Sequence, residues 1–114
     1  MLARKFKLTG AKDFDRVQKT GKVFQFADFG VAIVSRGDAN LSKFAFIVST
    51  KIAKEAVDRN RAKRAMSEAV RIRCIDLAPG FDVVFLAKTS INRISTTDIM
   101  KEVYVALKEV NLLK

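Results

Sequence analysis

Apolar residues fall along this chain in blocks whose spacing switches between helical and extended periods. From Ala11 to Lys19, Phe14 and Val17 stand three apart among charged neighbours and Thr20-Gly21 follows, which predicts a short amphipathic helix ended by glycine. Val23 to Val34 is rich in Val, Ile and Phe, with Phe29, Val31 and Ile33 on one side. It reads as one long or bulged strand, Gly30 marking the bulge or a close approach. The polar cluster Arg36 to Asn40 precedes an alternating run, Phe44 to Val48, and the two extended segments are expected to pair as a hairpin. A helix from about Asp58 to Asp76, closed off by Pro79-Gly80, leads to a strand over Asp82 to Ala87, apolar enough to be buried on both faces. Ser95 to Asp98 offers an N-cap to a last helix, with Ile99, Val103, Ala106, Leu107 and Val110 at helical spacing. Its Lys101, Glu102, Lys108 and Glu109 read as a solvated face. The order helix, strand, strand, helix, strand, helix predicts an α/β (α+β) two-layer sandwich with a mixed sheet, in one domain spanning residues 1–114.

Composition narrows the function classes. A hydrophobic fraction of 49% with nine Phe argues for a packed globule, so the net charge of +10 decorates a fold and does not signal a disordered basic tail. The lone cysteine, Cys74, leaves no internal disulfide and no cysteine-based zinc site, which fits a reducing cytoplasm; it reads as a small buried filler. Met1 to Leu8 alternates basic and apolar residues, so neither a signal peptide nor a transmembrane helix is expected there. Histidine is absent, and Asp13 and Asp15 are two apart, on different sides of a helix, with no partner for acid–base work. An independent hydrolase would need a carboxylate cluster that this chain does not offer, so no catalytic residue and no metal ligand is assigned.

The densest positive charge lies on the central helix. From Lys51 to Arg73 there are eight Lys/Arg against three Asp/Glu, so half of the net charge sits in a fifth of the chain. At about 100° per residue, Arg59, Lys63, Ser67, Asn60, Arg71 and Arg64 fall within an arc of roughly 140°, with Arg61 and Glu68 at its edge. Ala62, Ala65, Met66, Ala69 and Ile72 take the opposite side. One face then packs on the sheet while the other holds out guanidinium forks, an ammonium group and the Asn60 amide, which suit phosphate, ribose and base edges. A helix-turn-helix DNA reader would need a helix just before this one, where the chain has the strand Phe44 to Val48.

Ser49-Thr50-Lys51-Ile52 followed by Ala56-Val57-Asp58-Arg59-Asn60-Arg61-Ala62-Lys63-Arg64 and Glu68 resembles the signature of the protein subunit of bacterial ribonuclease P. Asp13-Phe14 with Val17, Lys19, Gly21 and Lys22 resembles that family's N-terminal helix and turn, and Pro79 to Lys88 its last strand, so the resemblance covers roughly residues 7–110 in matching order. It implies a ribosomal-protein-like fold with an uncommon left-handed βαβ crossover through the basic helix, against the general right-handed rule. It also implies an accessory to a catalytic RNA that uses Mg2+ to remove the 5′ leader of precursor tRNA, the protein itself binding no cofactor. The partners implied are ribonuclease P RNA and precursor tRNA, with no membrane and no obligate protein partner.

By the same resemblance Arg59, Asn60, Arg61, Lys63, Arg64 and Arg71 would contact the catalytic RNA. A cleft between the first helix and the sheet would take the single-stranded leader, with Phe14, Lys19, Phe29, Lys43, Lys51 and Lys54 as its residues on this chain. Aromatic platforms and cations are what a sequence-tolerant groove needs. Core packing remains an equal reading for Phe14 and Phe29, and the only reading for Phe44, Phe46, Phe81 and Phe85. The chain departs from the family pattern at Ser67, Gln18, Gly30 and Ala32, where larger or charged residues are usual, and Phe24 or Phe26 is the candidate substitute for a missing aromatic. The alternative function is another structured-RNA-binding protein of ribosomal-protein-like fold with no nuclease role. The sequence leaves open whether residues 1–6 are ordered without RNA.

Overall fold

Alternation along the extended segments gives one sheet two unequal faces. The computed structural model describes residues 3–113. Its elements are α1 (Ala11–Thr20), β1 (Lys22–Gln25), β2 (Phe29–Ser35), β3 (Lys43–Ile47), α2 (Ala56–Ile72), β4 (Phe81–Ala87) and α3 (Thr96–Glu109), with short 3-10 turns at Arg4–Phe6, Cys74–Asp76 and Thr89–Arg93. Of the segment 1–6, Met1 and Leu2 lie outside the described residues. The strands lie in the order β1-β2-β4-β3, with β3 parallel to β4 and the other pairs antiparallel.

On one face Phe29 and Val31 of β2, Phe44 of β3, and Val83 and Phe85 of β4 pack beneath α2 and α3, joined by Met66, Val70, Ile99, Val103 and Leu107 in the main core. The Phe29 and Phe85 rings stand 5.5 Å apart, and those of Phe46 and Phe85 5.3 Å. On the other face Ala32, Ala45 and Val84 form a smaller cluster with Val17 of α1 and Leu8. The layer of α2 and α3 on the sheet is the expected sandwich; α1 is added across the back.

Two expectations are corrected. The stretch Val23 to Val34 is not one strand but a hairpin, β1 to β2, with Gln25 opposite Gly30 and Val23 opposite Ala32. Its turn, Phe26 to Asp28, lacks Gly, Pro and Asn and is held by distant groups: Lys88 Nζ donates to the Phe26 carbonyl (2.6 Å), Ser90 Oγ to that of Ala27 (3.2 Å), and Glu102 accepts from the Asp28 amide (2.9 Å). The register is unbroken at Gly30, so there is no bulge; the close approach is real, since a Cβ there would stand 3.3 Å from Gln25 Oε1. Second, β2 and β3 do not pair. β4, with Val83, Val84 and Phe85 all fully buried, takes the place between them and β3 becomes an edge. The Arg36 guanidinium fastens the link from β2 to β3, donating to the Asn40 (3.1 Å) and Leu41 (2.7 Å) carbonyls.

A buried ion cluster sets where α1 sits. Asp82 opens β4 at 2% exposure; its carboxylate accepts from Arg36 Nη1 at 2.5 Å and from Arg16 of α1. Arg16 lies on the opposite side of α1 from Phe14. The clamp therefore draws the helix toward the start of β4, and the far end of that face, at Ile47 and Leu86, remains half-buried.

Candidate RNA-binding site

The open end of the sheet and the basic helix meet at the edge strand. A groove of about 580 Å³ wraps the outer side of β3, with Leu8, Phe14 and Ile47 toward α1 and Asn60, Lys63 and Arg64 of α2 on the opposite bank. The Leu8 amide donates to the Phe44 carbonyl (2.8 Å), which therefore points away from β4. Phe46, two residues on, presents its backbone to the same outer side. The groove thus joins an apolar and aromatic bank, an open strand edge and a cationic bank.

The six expected α2 residues divide by what they touch. Asn60, Lys63 and Arg64 are exposed at the groove and make no side-chain hydrogen bond or ion pair among the described residues. Arg59 is turned back, its Nη1 donating to the carbonyls of Ala53 (2.9 Å) and Lys54 (2.7 Å), so it braces the loop that enters the helix. Arg61 Nη1 donates to the Ile94 carbonyl (3.2 Å), tying α2 to the segment before α3. Arg71 pairs with Glu68 one turn back. The helical wheel errs at two places. Ser67, placed in the basic arc, is 6% exposed on the groove wall, its Oγ donating to the Arg64 carbonyl (3.2 Å). Ile72, placed in the core arc, is 54% exposed at the helix's last turn.

Of the expected cleft residues, Phe14 lines the groove half-buried. Phe29 does not. It is fully buried among the α2 and α3 side chains, because residues 29, 31 and 33 of β2 face the main core and only 30, 32 and 34 face α1. Phe24 and Phe26 cannot replace it: Phe24 pairs with Val31 on the main-core face, and Phe26 packs 5.6 Å from the Phe29 ring. The α1 face instead carries the Gln25 side chain laid over Gly30. Lys19 points to solvent, Lys43 is exposed at the start of β3, and Lys51 and Lys54 are exposed on the loop before α2. Lys7, which the sequence reading did not single out, lines the groove; the Lys7–Phe44 bridge that puts it there is a long-range pairing with no local signal. Cys74 is only part-buried, packed against the rim of the main core.

The geometry acquires an identity from comparison with known proteins. The profile of the family described as Ribonuclease P matches residues 2–111. The chain belongs to the ribonuclease P protein family. The ribonuclease P protein component of Clostridioides difficile is 32% identical over 101 residues, covering 88% of this chain and 87% of that one. Among solved structures, the Staphylococcus aureus RNase P protein superposes with a TM-score of 0.88 at 22% identity, over 96% of this chain and 98% of the other. The Thermotoga maritima RNase P protein gives 0.80 at 25% identity, over 90% and 96%. As a member of the family this chain is an accessory of ribonuclease P in tRNA 5′-leader processing and works with the ribonuclease P RNA. Among the described residues no three Cys, Asp or Glu side chains gather to hold an ion. None of the described helices is long and apolar enough to cross a membrane.

Proposed function

We propose that the groove around β3 is where this ribonuclease P protein brings its two RNAs together. Asn60, Lys63 and Arg64 grip the ribonuclease P RNA through phosphate and ribose contacts, and the single-stranded leader of precursor tRNA runs beside Phe14 across the open end of the sheet. The observation that carries this reading is the single groove shared by the α1 aromatic and the three unpaired polar side chains of α2. Arg59 and Arg61 act on RNA mainly by holding α2 and its loops in place, while Lys43, Lys51, Lys54, Lys19 and Arg71 supply outlying positive charge along the path. Hydrolysis depends on Mg2+ supplied within the RNA; this chain orients the leader and screens phosphate charge. The reading places the protein in the cytoplasm.

The test is cleavage of 5′-labelled precursor tRNA by bacterial ribonuclease P RNA at low magnesium, with and without this protein, beside a protein-only control. Stimulation that requires the RNA and yields the correct 5′ end is expected. Robust cleavage by the protein alone overturns the accessory role, and absence of stimulation despite tight binding to other structured RNAs favours a general RNA-binding protein.

A further inference from the structure

The charges of α3 are sorted by sign around the helix, and one stripe meets α2. At about 100° per residue, Thr97, Lys101, Tyr104 and Lys108 fall within roughly 60°, whereas Asp98, Glu102 and Glu109 fall together about 100° away. The acidic stripe is in part accounted for by Glu102, which holds the β1–β2 turn through the Asp28 amide. The basic stripe borders a depression of about 240 Å³ between α2 and α3, floored by Ala69, Ile72 and Met100 and walled by Arg73, Lys101 and Tyr104. The Arg73 guanidinium lies 4.2 Å from the centre of the Tyr104 ring and Lys108 Nζ 5.3 Å from it. None of these three cations makes an ion pair among the described residues, although Asp76 lines the adjoining hollow.

We propose that this face, Arg73, Lys101, Tyr104 and Lys108, is a second RNA-docking surface, and that its occupant is a double-helical segment of the ribonuclease P RNA. The inference rests on the function proposed above. Three unpaired cations beside one acid are complementary to a polyanion. Lys101 and Lys108 stand about 10 Å apart along the helix, far enough to engage more than one phosphate. The face has no deep cleft to thread a single strand, and the sheet's α1 side, where Phe14 lies, is on the opposite face from α3. A neighbouring hollow lined by Arg61, Arg64 and Met100, with Glu68 as its one acid, continues the surface along α2, so RNA held by the basic helix is led onto α3 and the leader is not.

Binding of the ribonuclease P RNA is measured against salt for the wild-type protein, for Lys101→Ala/Lys108→Ala and for Lys101→Arg/Lys108→Arg. The alanine pair is expected to flatten the log–log slope by roughly 1.5, at about 0.7 to 0.9 per lost phosphate contact, and the arginine pair to keep it. In parallel, Lys101→Cys on a Cys74→Ser background carries an iron chelate that cuts nearby RNA, with precursor tRNA also present. Cuts confined to a stem of the ribonuclease P RNA support the assignment. An unchanged slope in the alanine pair, or cuts that fall only in precursor tRNA or in no RNA, overturn it. Wild-type protein that fails to bind the ribonuclease P RNA at all removes the underlying reading instead, and this one with it.

Discussion

At the scale of single residues, the strongest constraint is the buried Asp82 carboxylate between Arg16 and Arg36. Deleting one partner of a buried ion pair leaves charge uncompensated, and such losses run to about 3–5 kcal/mol. Arg16 is 39% exposed and its share is screened by water, so Asp82→Ala should fall at the lower end, about 3 kcal/mol, and Arg16→Ala well below it in urea unfolding. Gly80 is a second fixed point: its φ of +88° and the Asp38 carbonyl 2.4 Å from where a Cβ would stand forbid a side chain. Glu102 contributes a pH signal. Burial, and then the hydrogen bond with Asp28, push its carboxyl up to about 7, while that same bond holds Asp28 below its usual value. The folded protein thus binds the Glu102 proton more tightly than the unfolded chain. That stabilisation is complete below about pH 4.5 and is lost as pH rises through about 7. The Asp28 contribution has the opposite sign and is lost only in stronger acid. The melting temperature should therefore drift down between about pH 5 and 7.5, and Glu102→Gln should flatten the drift; a wild-type curve flat across that interval would refute the shared proton.

At the scale of elements, α2 separates bracing from binding. Lys63→Ala/Arg64→Ala should weaken binding to ribonuclease P RNA without lowering the melting temperature, since both side chains are exposed and unpaired. Arg59→Ala removes two hydrogen bonds to loop carbonyls and should cost about 1–3 kcal/mol of stability along with affinity. Equal effects of the two changes on stability would contradict this division. The helices themselves were legible from spacing, and the Ser95 cap is present, its side chain accepting from the Asp98 amide. The first hairpin was not legible because its turn has no Gly, Pro or Asn, offers Asp28 alone as a turn former, and is satisfied by Lys88, Ser90 and Glu102, more than 60 positions away. Ser67 misled the wheel because burial against the edge strand, not polarity, decides its surroundings.

At the scale of the molecule, the two faces of the sheet are unequal in depth. Under α2 and α3 lies a continuous core; under α1 only a small cluster of Leu8, Val17, Ala32, Ala45 and Val84. Amides of α1 should accordingly exchange with solvent faster than those of α2 and α3, by local opening that leaves the main core intact. Uniform protection across the three helices would contradict it. With about five phosphate contacts, from the groove cations Lys7, Lys63 and Arg64 and from the outlying lysines, log affinity for RNA against log salt should slope at roughly −4, and a slope near zero would remove the electrostatic basis of the site.

The sequence by itself determined the helices, the apolar central strand, the concentration of charge on α2 and, through its motif, the family, because these depend on local spacing and residue type. Only the tertiary structure decided that β4 lies between β2 and β3, that Phe29 faces the core, that Arg59 and Arg61 brace loops while Lys63 and Arg64 stay free, and that the basic stripe of α3 borders α2. Those outcomes turn on which distant groups satisfy a strand edge, a turn carbonyl or a buried carboxylate. Such pairings carry no local signal, since their energy exists only once the chain has brought the partners together.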